Sequence, residues 1–125
     1  MSLEITEINH VQITVTKSVE EAAKRFYGEV FGLEEIPKPG ESKKRGGAWY
    51  RCGATELHLS IEEGATENHR SKRHLCYMVA NLEEAERELR AAGVEIIADD
   101  QPIEGWKRFY VRDPGGNRIE MAQSL

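Results

Sequence analysis

The stretch Ile8-Asn9-His10-Val11-Gln12-Ile13-Thr14-Val15 alternates without a break. Ile8, His10, Gln12 and Thr14 fall on one side; Val11, Ile13 and Val15 fall on the other. Successive side chains of a strand point to opposite faces, so this is a strand with one apolar and one polar face. Directly after it, Ser18 with Glu21 three residues on has the form of a capping box. Val19, Ala22, Ala23, Phe26, Tyr27, Val30 and Phe31 then recur at helical spacing, and Gly32 is placed to end that helix. Leu33 to Ile36 reads as a short strand, stopped by Pro37-Lys38-Pro39-Gly40. Residues 46–52 and 55–61 read as a hairpin turning at Gly53-Ala54. In its second arm Glu56, His58 and Ser60 oppose Leu57, Leu59 and Ile61. A polar loop over residues 62–72 follows.

The same order then recurs. Residues 73–79 alternate, with His74, Cys76 and Met78 against Leu75, Tyr77 and Val79. Asn81 with Glu84 opens a helix carrying Leu82, Ala85, Leu89 and Ala92, and Gly93 closes it. Val94 to Ala98 is a short strand. Residues 106–112 and 117–122 form a hairpin around Asp113-Pro114-Gly115-Gly116-Asn117. His10 maps onto His74, Gly32-Leu33-Glu34 onto Gly93-Val94-Glu95, Arg51 onto Arg112 and, with one residue of slack, His58 onto Glu120. The expected fold is α+β. Two tandem βαβββ modules, about 5–64 and 72–124 within one domain of residues 1–125, each form a four-stranded mixed sheet. One helix covers the outer apolar face of each sheet, and the two polar faces curl around a shared cleft.

The 125 residues suit one compact domain, which buries roughly two-thirds of its unfolded surface without needing a staple. A net charge of −5 argues against nucleic acid, and Lys43-Lys44-Arg45 is a short solvated loop. Cys52 and Cys76 are too few for a secreted disulfide framework and read as free thiols in a reducing compartment. Without a membrane-length apolar run or a signal-peptide core, the expected location is the cytoplasm.

His10, His58, His74 and Glu120 are the candidate metal ligands. Each sits on the polar face of a predicted strand, at a first- or last-strand position of the repeat. Three imidazoles and a carboxylate suit one borderline divalent ion such as Zn, Ni, Fe, Co or Mn. Taken singly, a strand histidine is more often a hydrogen-bonded surface or core residue; the symmetry of the set is what points to a metal. His69, in the polar loop, is read as solvated.

The segments His10–Val15, Phe26-Tyr27-Gly28-Glu29-Val30-Phe31-Gly32-Leu33 and Asp113-Pro114-Gly115-Gly116-Asn117-Arg118-Ile119-Glu120 carry a resemblance over nearly the whole chain. It resembles the vicinal oxygen chelate superfamily of glyoxalases, bleomycin-resistance proteins and dioxygenases. The resemblance implies that His10, His74 and Glu120 occupy the usual metal positions and that His58 occupies a fourth, variable one. Glyoxalase I has a carboxylate there, so the imidazole departs from that enzyme. The two-His, one-Glu pattern of fosfomycin-resistance proteins is met, but without recognisable phosphonate-binding residues. The implied chemistry is a metal with open positions that chelates neighbouring substrate oxygens and stabilises developing negative charge. Glu120 and His58 are the candidate catalytic groups, His58 as either ligand or base.

Alternation places further residues in the cleft: Gln12 and Thr14 beside His10, Trp49 and Arg51 in the first module, and Arg108, Tyr110 and Arg112 in the second. Gln12, Trp49, Arg51, Arg108 and Tyr110 are the candidate contacts to a small-molecule substrate. Arg108 can clamp a carboxylate or phosphonate in a fork, although strand arginines often pair with nearby carboxylates instead. Cys76 points into the cleft as an inert thiol. Phe26-Tyr27 reads as core, and Asp113–Asn117 as a turn without phosphate-loop spacing. The resemblance further implies a homodimer, with sites that can combine modules of two chains. The expected function is a metal-dependent lyase, isomerase, transferase or dioxygenase. The alternatives are a metal-free drug- or metabolite-binding protein and a relic whose ligands survive as hydrogen-bonded polar groups.

Overall fold

The alternating stretch that opens the chain forms strand β1 (His10–Val15). The computed structural model describes residues 2–65 and 67–125; Met1 and Thr66, the latter in the predicted polar loop, lie outside these. Helix α1 (Glu20–Arg25) follows, continued over Phe26–Val30 by a wider π turn. The expected capping box does not form. Residues Lys17–Val19 make a 3₁₀ turn, and Ser18 Oγ meets Thr16 Oγ at 3.0 Å. The helix therefore starts at Glu20, whose carboxylate accepts the Gly47 N–H at 2.8 Å. Gly32, with φ +71°, ends the helical segment as expected. Strands β2 (Glu34–Ile36), β3 (Ala48–Cys52) and β4 (Thr55–Ile61) complete the first sheet, in order β1-β4-β3-β2.

The second module repeats the plan. It comprises β5 (His74–Met78), α2 (Leu82–Ala91), β6 (Ile97–Ala98), β7 (Trp106–Arg112) and β8 (Arg118–Ser124), with sheet order β5-β8-β7-β6. Asn81 caps α2 by accepting the Glu84 N–H at 3.0 Å. β6 is shorter than the expected Val94–Ala98 strand. Val94 is instead used to close α2, its N–H donating to Leu89 O at 2.9 Å.

In each sheet the first and last strands run parallel and the other pairs antiparallel, so both sheets are mixed. The registers make the repeat concrete. Gln12 lies opposite His58 where Cys76 lies opposite Glu120, and Trp49 lies opposite His58 where Tyr110 lies opposite Glu120.

The apolar faces of both modules join in one core. Val15, Phe26, Tyr27, Tyr50 and Leu59 belong to the same cluster as Leu82, Leu89, Val111, Ile119 and Met121. Phe31 meets Tyr77 edge-on across the boundary, with ring centroids 5.2 Å apart. Burying side chains of this size contributes about 1.5–3 kcal/mol each. The Asp113–Asn117 turn does more than reverse the chain. Asp113, 4 % exposed, accepts the Tyr27 hydroxyl at 2.6 Å. Asn117 Nδ2 donates to Thr14 O at 3.0 Å, and a Cβ on Gly115 would stand 2.3 Å from Val15 Cγ1. This turn latches the second module onto the end of β1. Between the β1 and β5 segments a cavity of about 450 Å³ remains. Among the described residues no helix is long and apolar enough to cross a membrane.

Candidate functional site

In the first module the candidate residues form a stack. The β3–β4 register sets Trp49 flat against His58, centroids 3.7 Å apart and planes within 4°. His10 lies on the other side of His58 at 4.1 Å and 10°. His58 is 5 % exposed, and its Nε2 lies 2.9 Å from Glu56 Oε1. His10 Nδ1 lies 2.9 Å from Asn9 Oδ1.

In the second module the candidates form a chain of polar contacts. His74 Nε2 lies 3.0 Å from Glu120 Oε1, and His74 Nδ1 lies 2.9 Å from Lys72 O. Glu120 Oε2 is 3.5 Å from Arg108 Nη1. Arg108 Nε donates to Asp99 Oδ2 at 2.9 Å, and Nη2 donates to Gln101 O at 2.9 Å. The Arg108 hydrogen bond, helped by the Gln101 N–H, holds the Asp99 carboxyl below the usual carboxylate range. Tyr110 packs edge-on to His74 at 5.7 Å, and Arg118 lies over its ring at 4.1 Å. Partial burial of the sulfur, then the neighbouring Glu120 carboxylate, pushes the Cys76 thiol up to about 11.

This donor chemistry fits a divalent ion. A backbone carbonyl only accepts, so His74 carries hydrogen on Nδ1 toward Lys72 O. In the neutral ring, Nε2 then presents a lone pair to a carboxylate oxygen 3.0 Å away. Two facing acceptors need a proton or a cation between them. Ligating histidines characteristically donate their other ring N–H to a carbonyl or carboxylate. Asn9 and Glu56 provide matching partners for His10 and His58. The two donor pairs do not merge, however. Among the described residues no three His, Cys, Asp or Glu side chains are grouped to hold a metal ion within one chain. The direction of β1 explains this: its far end, at Thr14, meets the second module, while His10 stands at its start.

The remaining candidates are dispersed. Gln12 lines the inter-module cavity together with His74. Arg51 is paired with Glu34 at 2.6 Å on the exposed sheet edge. Arg112 donates to the Asn68 and Gly116 carbonyls. Arg108 is committed to Asp99 and Glu120. Glu56, Asp99, Arg73 and Arg118 are not among the residues that sequence pattern singles out as candidates. Alternation places Glu56 on the face of His58, and the two-residue spacing of Arg118 and Glu120 puts those side chains on one face as well, which is the available signal for the two.

The model of the Glyoxalase/Bleomycin resistance protein/Dioxygenase superfamily matches residues 7–121. The chain belongs to that superfamily. It is 42 % identical to a glyoxalase-family protein from Bacillus anthracis, with 100 % of each chain covered and a TM-score of 0.88. Two more distant structures share the fold. One is lactoylglutathione lyase from Agrobacterium tumefaciens (22 % identity, 95 % of this chain and 94 % of that one, TM-score 0.71). The other is an antibiotic binding protein from Streptomyces sp. CB03234 (19 %, 99 % and 100 %, TM-score 0.71). No curated protein matches the chain.

Proposed function

We propose that the chain is a metal-dependent enzyme acting on a small oxygen-rich substrate, as a lyase, isomerase, transferase or dioxygenase. Each centre combines His10 and His58 of one chain with His74 and Glu120 of a second copy. The observation that carries this reading is the presence of two donor pairs on one chain, each oriented by its own partners, that do not meet within it. A bound divalent ion such as Zn, Ni, Fe, Co or Mn would supply a Lewis acid for two neighbouring substrate oxygens. Glu120, held on one oxygen by Arg108, keeps the other for ligation or for taking a substrate proton. His58 serves as fourth ligand or as base, with Glu56 fixing its ring. Trp49 and Tyr110 provide flat walls.

The test is elemental analysis of anaerobically purified protein, first for wild type, His10→Ala and Glu120→Ala. Near-stoichiometric metal in wild type and little in either variant is expected. A His10→Ala/His58→Ala chain is then co-expressed with a His74→Ala/Glu120→Ala chain. A shared site gives the mixed dimer one intact centre, half the wild-type content; a site within one chain gives none. Metal-free wild type after reconstitution sinks the proposal.

The His10–His58–Trp49 stack favours a second reading, a metal-free binder of a flat drug or metabolite. Ligand affinity untouched by a chelator would select it.

A further inference from the structure

The cavity between the modules has an unusual lining. Arg73, His74 and Arg118 contribute to it, with Gln12 and Asn117, and no Asp or Glu does among the described residues. The chain as a whole has 22 acidic against 17 basic residues, so an acid-free cavity with two arginines runs against its average. Other arginines nearby are spoken for. Arg108 is held by Asp99 and Glu120, and Arg112 by backbone carbonyls. Arg118 has no carboxylate partner among the described residues; its guanidinium rests on the Tyr110 ring at 4.1 Å. That stacking fixes the plane of the group and leaves its edge N–H donors free to bind. The Arg73 side chain likewise has no carboxylate partner there.

The β5–β8 register puts Arg118 directly opposite His74, whose Nε2 faces Glu120. The first module has Glu56 at the matching position, opposite His10. The repeat therefore reverses charge at this place: an acid beside His10, an arginine beside His74. At about 450 Å³ the cavity is of small-molecule size.

We propose that Arg118 and Arg73, rather than Arg108, form an oxyanion-binding site in this cavity, and that the molecule taken up carries a carboxylate, phosphate or phosphonate group. As a statement about substrate class this rests on the metal-enzyme reading above. As a binding site it stands without a metal.

The test uses chelated, metal-free full-length protein, titrated calorimetrically with inorganic phosphate and with malonate at low ionic strength. Wild type binds at least one probe, more weakly as salt is raised. Arg118→Gln and Arg73→Gln each lower that affinity by about tenfold or more, the usual scale for a lost charge-assisted hydrogen bond. Arg118→Lys, which keeps the charge, recovers part of the loss and shows that the fold is intact. Arg87→Gln, an exposed change on α2, stays within about twofold, which separates a local site from net charge. Which probe binds distinguishes a phosphate-type from a carboxylate-type ligand. The proposal is overturned if neither probe binds wild type, or if Arg118→Gln and Arg73→Gln bind like wild type. It is also overturned if Arg108→Gln loses binding while Arg118→Gln keeps it. Anion binding intact in a protein that takes no metal removes the enzyme reading and leaves this site standing.

Discussion

The two modules share a fold and differ in how they hold their candidate ligands. In the first, His58 is clasped between two flat rings, Trp49 and His10. In the second, the equivalent Glu120 sits between the His74 ring and the Arg108 guanidinium, which in turn is held by Asp99. The ladder registers are the same, so the backbone supplies position and the side chains supply chemistry. The modules also differ in what their hairpin turns do. Among the described residues the Gly53-Ala54 turn makes no polar contact comparable to those of Asp113–Asn117, which hold the two modules together.

The sharpest way to break that contrast is at Asp113. Asp113→Ala strips partners from the buried Tyr27 hydroxyl and from the Gly115 and Asn117 N–H groups, and is expected to cost about 3–5 kcal/mol in urea unfolding. Cys52→Ala, at the matching place in the first module, is expected to cost under about 1 kcal/mol. Equal losses would show that the turns are equivalent after all.

The next effect is steric. Gly115→Ala pushes a Cβ into Val15 and is expected to cost about 1–3 kcal/mol. Gly53→Ala meets open space and bears only the strain of a φ of +61°, about 1 kcal/mol. Thermal unfolding of both variants measures the difference.

Supporting groups can be compared through metal affinity. Glu56→Gln loosens His58, and Arg108→Gln releases Glu120; each is expected to weaken metal binding about 10- to 100-fold by competition with a chelating dye. An effect in only one of the two would assign the ion to a single module.

The smallest expected effect concerns pH. The Gly47 N–H holds the Glu20 carboxyl below its usual range, outweighing the opposing effect of burial. A lowered pKa contributes stability that is present above the ordinary carboxylate value near 4.5 and is lost as pH falls through the folded value. Glu20→Gln is therefore expected to be less stable at pH 7 by about 0.5 kcal/mol, after allowing for solvent screening, with the gap closing in acid. The second helix is capped by the Asn81 amide, which does not titrate, so the cost of Asn81→Ala should be the same at both pH values. Urea unfolding at pH 7 and pH 3.5 checks both.

The strands and their faces were legible because alternation is local: each of His10, Gln12, His58, His74 and Glu120 has its side chosen by its immediate neighbours. The α2 cap was legible for the same reason. The Ser18–Glu21 box had the right form and did not form, because Glu20 is drawn to Gly47, 27 residues away, and the helix start moved with it. Arg108 shows the same limit. Its face was correct, but Asp99 and Gln101 come from the β6 side of the sheet, and no spacing rule announces them.

By itself the sequence determined the repeat, the α+β class and which residues share a face, since these follow from the period of the backbone and the burial of apolar side chains. Only the tertiary structure decided that the modules join through their apolar faces and the Asp113 latch, that the histidine–carboxylate set divides into two pairs, and that, among the described residues, Arg118 rather than Arg108 is left without an acidic partner. Those outcomes depend on which distant groups meet, and a long-range meeting is set by packing and charge in three dimensions, not by neighbours along the chain.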